Sequence, residues 1–457
     1  MEYLVLRGEA PGAYSTIARI GPGITTYEAS GLTPGVLYYF VVQAVDLNGI
    51  LSGLSNELAI VLPVTPESEG SQPKEPEPPL WQPVSPPADL EVMVTSEAAL
   101  QEAIATLQSG STIVLAPGIY RLGRPLDLQG PLAAVTLRGA TGRAADVVLM
   151  GPAPSEATGW QPVPAIRALG VIDALTIADL SIADASGPAV MLDGDVITPH
   201  LRNLHISGRG GYLVAQVNGS GHGVSGGVIE FSIFETAGCG PDRPPGLDLR
   251  GALGWTIRAN TFVGSGAFGP ACGPVVLLWQ GSGDTLVDGN RFVDGALEIV
   301  VALSEGTLDQ HAGGVIRNNA IVRATGRPFS GAGISVLGSP DTELLHNTIL
   351  VGHTSAVAIV YQHTDSRGLL VVNNLTDAAI VGEDHAEAML EGNVTTATAW
   401  LFVNATAGDL RLRSDATVAI DGGAHIPSAE HDHDGQLRPY GVAPDVGAYE
   451  WRPPSPP

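Results

Sequence analysis

Apolar and polar residues alternate in short runs along most of the chain, and turns rich in glycine, asparagine and aspartate separate the runs. Such alternation is typical of β-strands that bury one face. Short runs that are mostly apolar recur as well, among them GPVVLLWQG (273–281), GAGISVLG (331–338) and AVAIVYQH (356–363). Residues 95–109 differ, because their apolar positions have the period of an amphipathic helix, with Ser96 as N-cap and Gly110 after the end. The pattern predicts an all-β protein with one short helix.

Similar asparagine-containing segments recur between residues 201 and 377. Their asparagines are Asn203, Asn260, Asn290, Asn319, Asn347 and Asn374, with Ser232 at the matching position in the longest interval. A period near 28 without a helical pattern indicates a solenoid whose coils stack their strands about 4.8 Å apart. Side chains one coil apart then lie in a vertical file. Because an asparagine amide both donates and accepts, we predict that these asparagines form a structural ladder.

Residues 90–450 resemble the right-handed parallel β-helix (pectate-lyase-like) superfamily. The helix followed by GSTIVLAPGIYRL (110–122) looks like the N-terminal cap and first coil of its extracellular members. HDHDGQLRPYGVAPDVGAYEW (431–451) resembles the closing segment of secreted bacterial choice-of-anchor Q proteins. The resemblance implies a right-handed parallel β-helix with an N-terminal capping helix, in an extracellular or cell-surface protein.

The first 62 residues have a different character. LTPGVLYYFVVQAVD (32–46) and SGLSN (52–56) resemble the later strands of a fibronectin type III domain, whose first strands and usual tryptophan are missing. We therefore predict a partial fibronectin type III β-sandwich at 1–62 and a linker rich in proline and glutamate at 63–88. The β-helix with its closing segment follows at 89–451, and 452–457 form a tail.

Composition narrows the partners and the location. A net charge of −25, from 47 acidic and 22 basic residues, argues against nucleic acid or an anionic membrane as partner. No apolar run has the roughly 18 residues of a membrane-spanning helix. The start lacks the basic and apolar regions of a signal peptide, so we expect an N-terminally truncated secreted chain.

The two cysteines, Cys239 and Cys272, precede the first strand of successive coils. Coil stacking brings them together, and we predict a disulfide, the alternative being two partly buried thiols. Two cysteines are too few for an all-cysteine zinc site.

In enzymes of this superfamily, the outer surface of the first strand of each coil carries the substrate groove. Mapping that position here assigns substrate binding to Asp193, Gln216, Asn218, Trp279 and Gln280. The same mapping assigns catalysis to Asp248, Arg250, Glu298, Tyr361 and His363. The alternative is that these residues are polar only because they face water.

Two reactions fit parts of this set. Glycoside hydrolysis needs two carboxyl groups about 5–9.5 Å apart, and Asp248 lies about two coils, or roughly 10 Å, from Glu298 and from Asp193. A lyase needs a base and a cation, for which Arg250 with His363 or Tyr361 are candidates about four coils apart. The β-helix contains no lysine, unlike many lyases of the superfamily.

Asp432 and Asp434, followed by Gly435, are candidate calcium ligands, the alternative being a solvated acidic turn. The sequence alone leaves two functional hypotheses. The first is an extracellular bacterial protein that interacts with a polysaccharide or cell-surface glycan, its enzymatic form being a polysaccharide lyase or glycoside hydrolase. The second is a non-catalytic surface or adhesion stalk. The acidic surface favours a neutral glycan in the first case.

Overall fold

A computed structural model describes most of the chain. The described residues are 2–10, 13–22, 27, 29–30, 32, 37–46, 49, 51–55, 58–61, 90–154, 161–208, 213–216, 223–236, 246–264, 273–294, 298–303, 311–323, 331–352 and 357–453. The chain forms two compact units, residues 1–75 with 454–457 and residues 76–453. The division falls inside the predicted linker.

The first unit contains one four-stranded antiparallel sheet. In spatial order its strands are Ala13–Ile20, Glu2–Ala10, Leu37–Val45 and Leu58–Val61. Tyr27 and Ala29 lie outside any strand. The described residues of this unit thus hold one sheet, whereas a complete fibronectin sandwich has two.

The second unit winds through three long parallel sheets, which we call face 1, face 2 and face 3. The chain visits them in that order in every coil, and strands of successive coils pair within each sheet. Face 1 consists of Leu126–Gln129, Ile166–Leu169, Val190–Asp193, Leu213–Gln216, Leu247–Arg250, Val276–Trp279, Ile299–Val301, Ile334–Leu337, Val357–Gln362 and Ala379–Gly382.

Face 2 consists of Glu91–Val94, Thr112–Leu115, Leu132–Gly139, Ile172–Ala178, His200–Arg202, Val228–Glu230, Thr256–Arg258, Leu286–Asp288, Val315–Arg317, Glu343–Leu345, Leu369–Val372 and Ala388–Glu391, with Val196–Ile197 beside it. Face 3 consists of Gly118–Arg121, Val147–Met150, Ser181–Ala185, His205–Gly208, Ile233–Thr236, Thr261–Val263, Arg291–Val293, Ala320–Val322, Thr348–Leu350 and Leu375–Thr376. The predicted parallel β solenoid is confirmed.

The core of the column is built from files of identical or similar residues. Phe234, Phe262 and Phe292 occupy one position of face 3 in three successive coils, and their rings stack with centroids 4.8 Å apart. All three side chains are almost completely buried. Offset stacking of this kind contributes beyond the area that the rings bury.

The asparagine ladder runs along the corner between face 2 and face 3. The Nδ2 atom of Asn290 donates to Oδ1 of Asn319 at 3.0 Å, and Asn319 repeats the contact with Asn347 at 3.0 Å. The same bonds extend the file in both directions. It comprises Asn260, Asn290, Asn319, Asn347, Asn374 and Asn393, with Ser232 continuing it at the N-terminal end. Asn393 was missed in the sequence because its coil is short.

Asn203 does not belong to this ladder. Leu204 occupies the ladder position instead, and its amide donates to Oγ of Ser232 at 3.0 Å. Asn203 lies one residue earlier, at a left-handed corner with φ 49°, and donates to Oδ1 of Asp179 at 2.7 Å. The prediction for Asn203 was therefore wrong by one residue, because asparagine suits both the ladder and a left-handed corner.

A helix, Glu97–Ala105, precedes the first complete coil. Oγ of Ser96 accepts from the amide of Ala99 at 3.2 Å, as expected for an N-cap. Leu100 and Ile104 of this helix belong to the core of the column. Within the described ranges, no helix is long and apolar enough to span a membrane. Short 3-10 helices form at Ala144–Asp146, Ala399–Leu401, Ala405–Ala407 and Pro427–Ala429.

The last 60 residues of this unit return along its side. Phe402–Asn404 and Asp409–Leu412 form an antiparallel pair, and apolar side chains of this region pack against outward residues of face 3, including Val322 and Leu350. Residues 424–451, which include the closing segment 431–451, lie against the ladder corner. There Asn373 exchanges two hydrogen bonds with the backbone of Ala424.

Candidate functional site

On the outer surface of face 1, four residues on successive strands occupy the same register position. We call this column of residues the face 1 file. Asp193 pairs with Gln216, and Arg250 pairs with Trp279 on the next strand. Ala215 pairs with Leu249, which places Gln216 next to Arg250. The sequence prediction that these residues share one surface agrees with this register. At about 4.8 Å per strand the file spans roughly 14 Å.

Arg250 and Trp279 of this file form one tight cluster with Asp248, which lies two residues before Arg250 on the same strand. Oδ1 of Asp248 accepts a hydrogen bond from Nε1 of Trp279 at 2.7 Å and another from Nε of Arg250 at 3.0 Å. Oδ2 accepts from Nη2 of Arg250, so the ion pair is bidentate. The Arg250 guanidinium carbon lies 5.2 Å from the centre of the Trp279 ring. We call these three residues the Trp279 platform.

The three residues of the Trp279 platform differ in how far they are exposed to solvent. Asp248 is only 1% exposed, whereas the side chain of Arg250 is 34% exposed and Trp279 is partly exposed. The hydrogen bond that Arg250 donates to Asp248 raises the pKa of Arg250, which keeps the guanidinium charged. Within the described ranges nothing accepts a hydrogen bond from Nη1 of Arg250. The platform therefore offers an aromatic ring and one guanidinium donor group to solvent.

This geometry does not suit Asp248 for direct acid–base chemistry. A general acid or base must reach a proton of the substrate, and the Asp248 carboxylate is buried behind the donors that it binds. Its position on the outer surface was predicted from the alternation with Arg250. Its burial depends on Trp279, 31 residues away, and this contact has no signature in the local sequence.

The other predicted substrate-binding residues contribute less to the described surface. Gln280 is exposed at a left-handed turn, with φ 53°, directly after the strand that carries Trp279. For Gln216 only the strand position is described. Asn218 lies outside the described residues, as do Cys239 and Cys272, so the disulfide stays a prediction.

Glu298 does not face a groove. It is completely buried, and its carboxylate forms a bidentate ion pair with Arg323, which is 8% exposed. Burial raises the pKa of Glu298, and Arg323 opposes that rise. The predicted catalytic role fails because an arginine 25 residues away, at the end of a face 3 strand, covers the carboxylate.

Tyr361 points into the column instead of outward. It pairs with Val336, is 7% exposed and belongs to the main core. Its run, AVAIVYQH, is apolar at nearly every position, so the alternation could not fix which residues face inward. His363 lies beyond the end of this strand, at a left-handed residue with φ 72°, and its Nδ1 is 3.8 Å from Oδ2 of Asp384. It is about four strands from Arg250 along face 1.

Asp432 belongs to the internal hydrogen bonding of the closing segment. Its Oδ1 accepts from the amides of Asp434 and Gln436, and its Oδ2 accepts from the amide of Glu450. Calcium takes six to eight oxygen ligands, and this carboxylate already serves three backbone donors at 5% exposure. The described residues contain no group of three or more histidine, cysteine, aspartate or glutamate side chains that could hold a metal. The donor set at Asp432 and Asp434 does not fit calcium.

The motif around Asp432 instead holds the closing segment together. Arg438 forms a buried ion pair with Glu450 at 3.0 Å, and it donates to the carbonyl oxygens of Gly447 and Ala448 at 2.9 Å. Gly447 has φ 101°, and a Cβ there would lie 2.6 Å from Oγ1 of Thr348. The motif that resembles a family signature thus has a packing role here.

One charged cluster on face 2 was not predicted. Glu230 receives hydrogen bonds from His200 at 2.8 Å and from Arg258 at 2.7 Å. Burial raises the pKa of Glu230, but these bonds outweigh burial and lower the pKa to about 2. The three residues occupy successive coils at a period of 28 to 30 residues, so the repeat could have revealed the cluster. These hydrogen bonds to the Glu230 carboxylate connect three successive coils on face 2.

No protein-family model matches this sequence, and no curated protein sequence matches it. Several solved structures align with this chain. An alginate lyase from Paenibacillus sp. str. FPU-7 aligns with a TM-score of 0.46 and 15% identity, over 66% of this chain and 98% of that one. Pectate lyase Pel9A aligns with a TM-score of 0.46 and 14% identity, over 81% of this chain and 98% of that one. A surface adhesin of Streptococcus pneumoniae, PfbA, aligns with a TM-score of 0.33 and 14% identity, over 65% of this chain and 86% of that one.

Proposed function

We propose that this protein is an extracellular glycan-binding β-helix, and that the outer surface of face 1 around the Trp279 platform binds the glycan. The proposal rests on the geometry of the Trp279 platform. Tryptophan and arginine are enriched among the residues that contribute most to binding energy, because tryptophan offers a large aromatic surface and arginine offers several hydrogen-bond donors. Here both are fixed by the buried Asp248 carboxylate, and both are partly exposed at one end of the polar file that begins at Asp193.

Binding without catalysis is the form that the geometry favours. Of the five residues predicted to be catalytic, only Asp248 and Arg250 are in contact, and each uses the other. Glu298 and Tyr361 are buried away from the surface, and His363 is several coils distant. The adhesion-stalk hypothesis predicts that the platform has no ligand.

A glycan panel measured with the full chain tests the proposal. We expect wild-type protein to bind at least one glycan, and Trp279→Ala to weaken that binding by at least tenfold, because the ring face is lost. Trp400→Ala is the matched control, since Trp400 is 83% exposed and lies in the 3-10 helix Ala399–Leu401. It should bind as wild type does.

Two assays on the same samples separate the alternatives. Absorbance of unsaturated uronates reports a lyase, and reducing ends report a hydrolase. Absence of binding and of both activities across the panel would favour the stalk. Equal losses of glycan affinity in Trp279→Ala and Trp400→Ala would show that the Trp279 platform is not the binding site.

A further inference from the structure

Face 1 carries two carboxylate–guanidinium pairs of the same geometry. Asp248 binds Arg250 within one strand, and Asp127 binds Arg167 across two strands with distances of 2.9 and 2.8 Å. Both pairs lie on the outer surface. They differ in burial, because the Asp248 side chain is 1% exposed and the Asp127 side chain is 41% exposed.

Burial decides what each carboxylate can do. Water and salt screen the Asp127 pair, so either partner can exchange it for solvent. Asp248 is held by Trp279 as well as Arg250 and has almost no access to water. Its negative charge therefore stays opposite the guanidinium whatever ligand approaches.

We propose that Asp248 is a specificity-determining residue, which neutralises Arg250 so that the platform selects uncharged sugars over uronates. This inference rests on the proposed function. A carboxylate ligand would meet a guanidinium whose charge is already balanced, on a chain of net charge −25. A neutral sugar, by contrast, needs only the guanidinium donors of Arg250 for its hydroxyl groups and the Trp279 ring for its apolar face. Asp248 acts through Arg250 and Trp279, and is therefore a positioning residue.

The direct test is Asp248→Asn in the full chain. The amide keeps one oxygen for the Trp279 N–H but removes the charge that binds Arg250. We expect binding of an oligogalacturonate probe to strengthen about fivefold at low salt, because one unbalanced positive charge remains near the ligand. Binding of the best neutral glycan should weaken two- to fivefold as Arg250 loses its fixed position. The ratio of the two affinities is the readout, since a purely structural role would weaken both equally.

Two further variants control this result. Asp127→Asn adds the same charge to the same face and should leave the ratio unchanged. In Asp248→Asn/Arg250→Gln the gain for oligogalacturonate should disappear, because the released cation is gone. Circular dichroism and the melting temperature confirm that each variant is folded. If Asp248→Asn fails to fold, the wild-type protein still tests the inference: it should bind the best neutral glycan more tightly than oligogalacturonate at low salt, and an equal or reversed order would contradict the inference.

The outcomes separate the two proposals. If wild type binds a neutral glycan but the ratio stays constant in Asp248→Asn, the inference is wrong and the proposed function stands. If wild type binds no glycan while Asp248→Asn binds oligogalacturonate, the charge role stands and the proposed function fails. If neither protein binds either probe, both are wrong. A gain of equal size in Asp127→Asn would show that net charge alone sets the selectivity.

Discussion

The asparagine ladder and the face 1 file are both columns of polar residues with the period of one coil, yet they do different work. In the ladder, the asparagines from Asn260 to Asn374 are buried and each one binds the next, as Asn319 binds Asn347. In the face 1 file, the side chain changes at each step, from Asp193 to Gln216, Arg250 and Trp279. Uniform residues suit contacts between neighbouring coils, whereas a ligand is recognised by different groups placed side by side. Regularity therefore indicates structure, and its loss on an outer face indicates a candidate binding surface.

The largest effect should come from breaking the ladder at its centre. Asn319 is completely buried, binds the carbonyl of Val287 and the side chains of Asn290 and Asn347, and its replacement by alanine leaves those partners without hydrogen bonds. We expect Asn319→Ala to lower the free energy of unfolding by about 3–5 kcal/mol, measured by urea denaturation.

A matched variant separates the ladder from asparagine in general. Asn404→Ala changes an exposed residue that caps a 3-10 helix, and should cost only about 0.5–1 kcal/mol. Similar losses for the two variants would mean that the buried amide file adds nothing special. Glycan affinity of folded Asn319→Ala should match that of wild type, because the two files lie on different sides of the column.

The sequence predicted the period of the repeat, the asparagine ladder and the surface on which Asp248 and Arg250 lie. These depend on spacing and alternation, which are local properties. The burial of Glu298 could not be predicted from the sequence, because Arg323, which covers its carboxylate, comes from another face of the column. Tyr361 was misplaced because its strand is apolar on both sides. The side chains that cover a residue belong to other coils, and a single sequence does not specify them.

A third polar file, at the corner between face 1 and face 2, should produce a pH effect of intermediate size. His311 is 1% exposed and bonds Oγ1 of Thr285 and Oγ of Ser339, each at 2.9 Å. Burial lowers the pKa of His311 from 6.5 to about 4. The unfolded chain therefore binds a proton that the folded protein does not, and stability falls as the pH drops from about 6.5 to 4.

Comparison with His311→Gln isolates this contribution. Between pH 7 and pH 4 we expect the stability of wild type relative to this variant to fall by about 2–3 kcal/mol, measured by urea denaturation at each pH. The comparison is needed because Asp445 acts in the opposite direction. Burial raises its pKa to about 6, so its contribution is lost as the pH rises from 3.8 to 6. A constant difference across the range would mean that His311 titrates normally.

The smallest effect should come from the exposed ion pair on face 1. Asp127 and Arg167 match Asp248 and Arg250 in geometry, but their side chains are 41% and 35% exposed. Water solvates both partners before and after the change, so we expect Asp127→Asn to lower the free energy of unfolding by less than about 1 kcal/mol. Asp248→Asn should cost more, about 1–3 kcal/mol, because Arg250 and Trp279 lose a buried acceptor charge. Urea denaturation of both variants checks this order. Since the surface, the partner type and the bidentate contact are shared, a reversed order would mean that burial does not distinguish the two pairs, and the special role of Asp248 would lose its physical basis.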